Sequence, residues 1–138
     1  MRLTNFTDYG MRMLMRMASE PSRTYSASEL AFELNLSRHH LQKIIQRLAD
    51  GGILTTQRGN SGGVRLAHAP SNFRVGEVVS LLERDQSLVE CLADTLCSCS
   101  LETGCRLKAR LRRAERAFID DLNKTTLQDI ALKNDAVV

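Results

Sequence analysis

Through most of the 138 residues, apolar positions recur at helical spacing. Met11, Leu14, Met15 and Ala18 stand at i, i+3, i+4 and i+7, which predicts a helix over 8–18 that Pro21 closes. Residues 26–54, SASELAFELNLSRHHLQKIIQRLADGGIL, predict two helices around a three-residue break. Ser28 is the expected cap of the first, with Leu30, Ala31 and Leu34 facing inward. Ser37 caps the second, where Leu41, Ile44, Ile45 and Leu48 share one face as far as Asp50, and Gly51-Gly52 stops it with residues that tolerate a left-handed backbone. Two β-prone runs come next, Leu54–Arg58 and Val64–Ala67, around the loop Gly59–Gly63, a hairpin with a glycine-rich tip. A short helix, a tight turn, a longer helix and a hairpin make a winged helix-turn-helix.

Residues 74–84 predict one more short helix through Val75, Val78, Val79 and Leu82. Periodicity then lapses over 85–105. It returns in Leu107, Leu111, Ala114, Phe118 and Leu122, a helix of roughly 18 residues and about 27 Å. With no partner evident in the chain, this helix is expected to pair with its twin in a homodimer. Thr125-Thr126 restart a last turn, and residues 134–138 are expected to fray. The expected fold class is therefore mainly α: a winged helix-turn-helix domain with a two-stranded wing over 1–84, a cysteine-rich loop over 85–105, and a dimerisation helix and turn over 105–130.

Composition changes this picture little. With 4% aromatic residues and no Trp, the core must rest on aliphatic side chains and methionine. No apolar run approaches the roughly 18 residues of a membrane span, and the opening MRLTNFTDYG lacks a secretory h-region, so a cytoplasmic address is expected. Charge changes it more. The net +3 is uneven: residues 1–70 carry nine Lys/Arg against five Asp/Glu, and residues 71–138 ten against eleven. Most of the surplus falls between Arg38 and Arg65, as a double-stranded DNA surface requires. Ser37, Arg38, His39, His40 and Gln42 would lead the second helix into the major groove, with Lys43 and Arg47 on phosphates. Ser28 is a further candidate contact, and Arg58, Gly59, Asn60, Ser61, Gly62 and Gly63 would reach the minor groove from the hairpin tip. His39 and His40 point about 100° apart on a helix, a poor arrangement for a shared metal.

All the cysteines, Cys91, Cys97, Cys99 and Cys105, fall in ECLADTLCSCSLETGCR, residues 90–106. The spacing C-x5-C-x-C-x5-C contains no C-x2–4-C zinc knuckle, and a reducing compartment disfavours disulfides. Thiolates spread along a loop can wrap a larger object, an iron–sulfur cluster. Arg106, Lys108 and Arg110 would offset its negative charge, or would simply form a solvated helix face. An enzyme is disfavoured, because no C-x-x-C helix start and no evident Cys/His pair is present.

Three separated motifs, MRLTNFTDYGMRML, RGNSGGVRLA and CSLETGCRLK, resemble those of the Rrf-type winged-helix iron–sulfur regulators, over about residues 1–130. TDYG and GCRLKARLRRAERAFIDDL look most like its nitric-oxide-sensing NsrR branch. That resemblance implies a DNA-binding repressor with a 4Fe–4S cluster held by three cysteines of one subunit and an aspartate of the other. Carried onto this chain, the ligands are Cys91, Cys99, Cys105 and Asp8, with Cys97 the alternative middle thiol. Lys108 stands where the family's cluster-assembly branch has a histidine. An iron-responsive, RirA-like regulator and a cluster-free thiol regulator are the alternatives. Without the resemblance, Asp8 reads as a helix-start residue interacting with the dipole.

Overall fold

The computed structural model describes residues 2–60 and 62–133, so the expected fraying of 134–138 and the wing residue Ser61 lie outside the described residues. The main elements are α1 (Asn5–Ser19), α2 (Ala27–Leu34), α3 (Arg38–Asp50), β1 (Leu54–Gln57), β2 (Gly63–Leu66), α4 (Val75–Leu82) and α5 (Arg106–Leu122). Single 3-10 turns occur at Pro70–Asn72 and Glu90–Leu92. The winged helix-turn-helix and its two-stranded wing are present as the residue pattern predicts. Among the described residues no helix is long and apolar enough to cross a membrane.

Local chemistry shifts two of the predicted helix starts. Helix α1 begins at Asn5 because Thr4 is its cap, with Thr4 Oγ1 accepting from the Thr7 amide, so Asp8 lies within the first turn. Helix α2 is capped by Ser26, not by Ser28. Ser26 Oγ accepts from the Glu29 amide at 3.0 Å while the Glu29 carboxylate accepts from the Ser26 amide, which is a capping box. Ser28 is an exposed residue of the first helical turn. Asn35, in the left-handed region at φ 53°, turns the chain into α3, which Ser37 caps as expected. At the far end of α3 it is Gly52, at φ 77°, that takes the left-handed backbone, while Gly51 does not.

The wing pairs antiparallel from Leu54 opposite Leu66 to Gln57 opposite Gly63. Tyr25 adds a third, one-residue rung, its amide donating to Val64 O at 2.8 Å and its carbonyl accepting from Val64 N at 2.7 Å. Position 63 must stay without a side chain, since a Cβ there would lie 2.3 Å from Tyr25 O. Beneath this rung Arg16 is almost wholly buried. It donates to Tyr25 OH, Glu20 and Glu33 at 2.8–2.9 Å, tying α1 to α2 and the wing. Burial, which outweighs the pull of Arg16, raises the Tyr25 hydroxyl pKa above its ordinary value. The core between these elements is aliphatic: Met13, Leu14, Met17, Leu30, Leu41, Ile44 and Leu48 are all essentially inaccessible.

Helix α5 does find a partner within the chain, contrary to the reading of its amphipathic face, because its C-terminal end lies on α4. A Cβ on Gly76 would come within 2.4 Å of both Ile119 O and Asn123 Oδ1, so the crossing requires glycine. Beyond α5 the backbone returns to the winged domain. Val75 N donates to Thr125 O and Leu127 N to Phe73 O, each at 2.9 Å, and Leu132 N donates to Met15 O at 3.2 Å. Leu127 is completely buried in the core, whereas none of the residues of α5 is buried in the single chain.

Leu127→Ala is expected to cost about 2–5 kcal/mol, the range for emptying a filled aliphatic site. Urea unfolding at one fixed protein concentration measures it. A change below about 0.5 kcal/mol would mean that residues 123–132 are a detachable tail.

Candidate functional site

The candidate DNA-facing surface is built on the outer side of α3. Leu41, Ile44, Ile45 and Leu48 are buried, which turns Arg38, His39, His40, Gln42 and Lys43 to solvent. Ser37 Oγ accepts from the His40 amide at 3.1 Å, so the cap also fixes where this polar face begins. The wing presents Arg58, Gly59 and Asn60 as exposed residues, with Gly62 and Gly63 partly covered. The Gly62 amide donates to Gly59 O at 3.0 Å and closes the tip into a turn.

Ion pairing separates the basic residues into two groups. Arg12, Arg16, Arg23 and Arg47 each pair with a carboxylate. Arg38, Lys43, Arg58 and Arg65 form no ion pair among the described residues. The second group lies on α3 and the wing, so its charge is uncompensated where a phosphate backbone would need it. Arg47, read from the sequence as a phosphate contact, instead turns inward. Its side chain is only 17% exposed and pairs with Asp85. Sequence reasoning missed this, because helical spacing alone does not reveal an acid 38 residues away.

The cysteine loop runs from the end of α4 to Cys105. Its main internal order is the turn Glu90–Leu92 carrying Cys91, and the bonds of Ser98 N and Oγ to Glu90 Oε1 at 3.3 and 2.9 Å. All the cysteines are free: Cys99 is exposed, and Cys91, Cys97 and Cys105 are partly covered. Cys97 Sγ accepts from the Cys99 amide at 3.4 Å. That bond lowers the Cys97 thiol pKa but is outweighed by desolvation and by the charges of Glu102, Glu90 and Cys91, so the net direction is upward. Cys105 is the N-cap of α5, its Sγ accepting from the Lys108 amide at 3.4 Å. Lys108 Nζ reaches Glu102 Oε1 at 2.6 Å; that bond first, and the nearby Cys91, raise its pKa. Lys108 is therefore held over the loop, while Arg106 and Arg110 are exposed.

Asp8 is half-exposed on α1, paired with Arg12 at 2.7 Å. The chain does not bring Asp8 and the cysteines together: among the described residues no three ligating side chains converge. Around the loop Leu96, Leu101 and Leu107 are open to solvent, at 101%, 73% and 63% exposure.

Comparison with known proteins places this arrangement. Residues 3–133 match the profile of the Rrf2 family, described as an iron-dependent transcriptional regulator. Staphylococcus aureus CymR is 25% identical with a TM-score of 0.69, over 93% of this chain and 96% of that one, and an oxidised form of it matches with a TM-score of 0.71. A candidate transcriptional regulator from Listeria innocua is 30% identical with a TM-score of 0.68, covering 94% of this chain and 85% of its own. T. potens IscR, 21% identical over 94% of this chain and 85% of that one, shares the fold with a TM-score of 0.70. The match extends from the cap of α1 to the segment that returns to the core, so the chain belongs to the Rrf2 family of DNA-binding transcriptional regulators, which act as dimers and are not enzymes.

Proposed function

We propose that this regulator is a repressor whose operator affinity is set by a 4Fe–4S cluster, held by Cys91, Cys99 and Cys105 of one subunit and Asp8 of the partner subunit, with nitric oxide as the effector. The observation that carries the reading is the loop itself, in which four free thiols lie outside the core on a segment with little regular structure. Thiolate donors suit iron–sulfur chemistry, so the donor set fits in kind. In the single chain the ligands are apart, and the proposal assigns their gathering to the cluster and the dimer. The exposed Leu96, Leu101 and Leu107 offer apolar surface for the second subunit to cover. When bound, the cluster supplies an iron site with one weaker, carboxylate ligand that an effector can attack.

The chain's own residues do the rest. Arg38, His39, His40 and Gln42 read the major groove, Lys43 and Ser28 hold phosphates, and Arg58 with the tip from Gly59 to Gly63 enters the minor groove. Two such surfaces read half-sites about 34 Å apart, so a small rotation between subunits is enough to release DNA. The iron-dependent description of the family fits the same site with iron supply as the effector. A cluster-free thiol regulator is a further reading, favoured by the likeness to CymR, which has also been solved oxidised. Anaerobic purification with an absorption spectrum, followed by nitric oxide titration, separates the three.

Alanine at Cys91, Cys99 or Cys105 is expected to give colourless protein, while Cys97→Ala stays brown. A brown Cys99→Ala beside a colourless Cys97→Ala reverses the assignment of the middle ligand. In a mixed dimer of an Asp8→Ala subunit with a subunit lacking its cysteines, one complete site remains if ligation crosses the interface. Such dimers should hold one cluster with the wild-type spectrum, and none if Asp8 serves only its own chain. Operator affinity should fall steeply between 50 and 200 mM salt, with a log–log slope of about −0.9 per phosphate neutralised. Arg58→Ala should weaken it further, and affinity indifferent to salt would contradict the phosphate contacts.

A further inference from the structure

The cysteine loop leaves the winged domain at the end of α4, and two other helices are fastened to that point. Glu83, the C-cap of α4, accepts from Thr4 N and Thr4 Oγ1, both at 2.7 Å, and Thr4 is the cap of the helix that carries Asp8. These bonds and one from Thr7 prevail over partial burial and hold the Glu83 carboxyl below its ordinary pKa. Two residues further on, Asp85 Oδ2 receives Arg47 Nη2 at 2.5 Å, and Arg47 Nη1 donates to Leu82 O at 3.2 Å. The same guanidinium stacks over Phe6 of α1, 5.0 Å from the ring centroid. One side chain of α3 thus touches the last turn of α4, the first residues of the loop and the first turn of α1.

We propose that Arg47 is a positioning residue, through which the root of the cysteine loop sets the placement of the DNA-reading helix. Its donors are directed at Asp85 and Leu82 O, whereas Arg38 and Lys43 on the same helix remain unpaired among the described residues. A shift of the loop root relative to α3 must break this bidentate, stacked contact or carry α3 with it. Lysine cannot replace it, since an ammonium has neither the planar fork nor the stacking face. The transmission half of the proposal rests on the reading of the loop as the effector-responsive element. The positioning half does not.

The test compares full-length dimeric wild type, Arg47→Gln, Asp85→Asn and the double variant. The probe is a duplex recovered from random-sequence DNA by selection with the wild-type protein. Asp85 is 63% exposed, so Asp85→Asn disturbs the interior least, and thermal midpoints check that all variants fold. If Arg47 acted through its charge on DNA, Arg47→Gln would weaken binding, Asp85→Asn would strengthen it, and the charge-neutral double variant would return to wild type. Arg47→Gln would also reduce the salt slope by about 0.9. Positioning forecasts otherwise: both single variants weaken binding several-fold, the double variant is no worse than either, and the salt slope is unchanged. Opposite shifts in the two single variants overturn the proposal.

For transmission, affinity is measured before and after alkylation of the loop thiols with iodoacetamide. The ratio should depart from one in wild type and collapse toward one in Asp85→Asn and Arg47→Gln. A wild-type ratio of one removes both the loop reading and transmission while leaving the positioning result to stand. An altered ratio that persists in both variants overturns transmission alone.

Discussion

The eight-residue helix α4 joins the root of the cysteine loop and α5 to the winged domain, and it is packed on more than one side. Val75, Gly76, Val78, Val79 and Leu82 are buried and Leu81 packs against the core from the side, which leaves only Glu77 and Ser80 turned to solvent. One side meets α1 and α3 and another meets α5. So short a helix has little stability of its own. Its position is a consequence of the contacts at its two ends: Thr125 and Asn123 at the first, Thr4 and Arg47 at the second. These contacts, rigid packing and a few polar ties, are what the proposed transmission would act through.

Charge and burial divide the molecule along the same line. Arginines facing the interior are neutralised by carboxylates and by the faces of Tyr25 and Phe6, as burial of a guanidinium demands. Those on α3 and the wing are left to solvent, where they repel one another slightly and attract a polyanion. The thiols occupy a third environment. They are neither buried as inert core residues nor paired as disulfides; they sit among Glu90, Glu102 and Lys108, beside leucines that one chain leaves uncovered. In isolation that surface is unfavourable, which gives a physical reason for a second subunit to lie against it.

Much of this was legible in the chain because its signals are local. The apolar spacing of Leu41, Ile44, Ile45 and Leu48, the cap at Ser37 and the glycines between two β-prone runs each depend on residues within one or two turns of each other, and those elements form where predicted. The capping box in SASE was also present to be read, and the choice of Ser28 over Ser26 missed a signal rather than lacked one. Motif resemblance pointed to the family that the profile match shows, and it is the source of the proposed ligand set, which composition alone could not give.

Tertiary structure decided what depends on residues far apart in the chain. Nothing near Arg47 in sequence distinguishes it from Lys43, yet one is turned to Asp85 and the other to solvent. Periodicity marks Leu127 as no more than a residue after a helix, and it lies at the centre of the core. Arg16 reads as a surface cation on an amphipathic helix until Tyr25, Glu20 and Glu33 close around it. The sequence by itself determined which segments are helix or strand and which residues are candidates for the chemistry, since both follow from side-chain type and short spacing. The fold decided which of those residues are turned to solvent and which hold the domain together, because that choice is made by partners brought near only when the chain has closed.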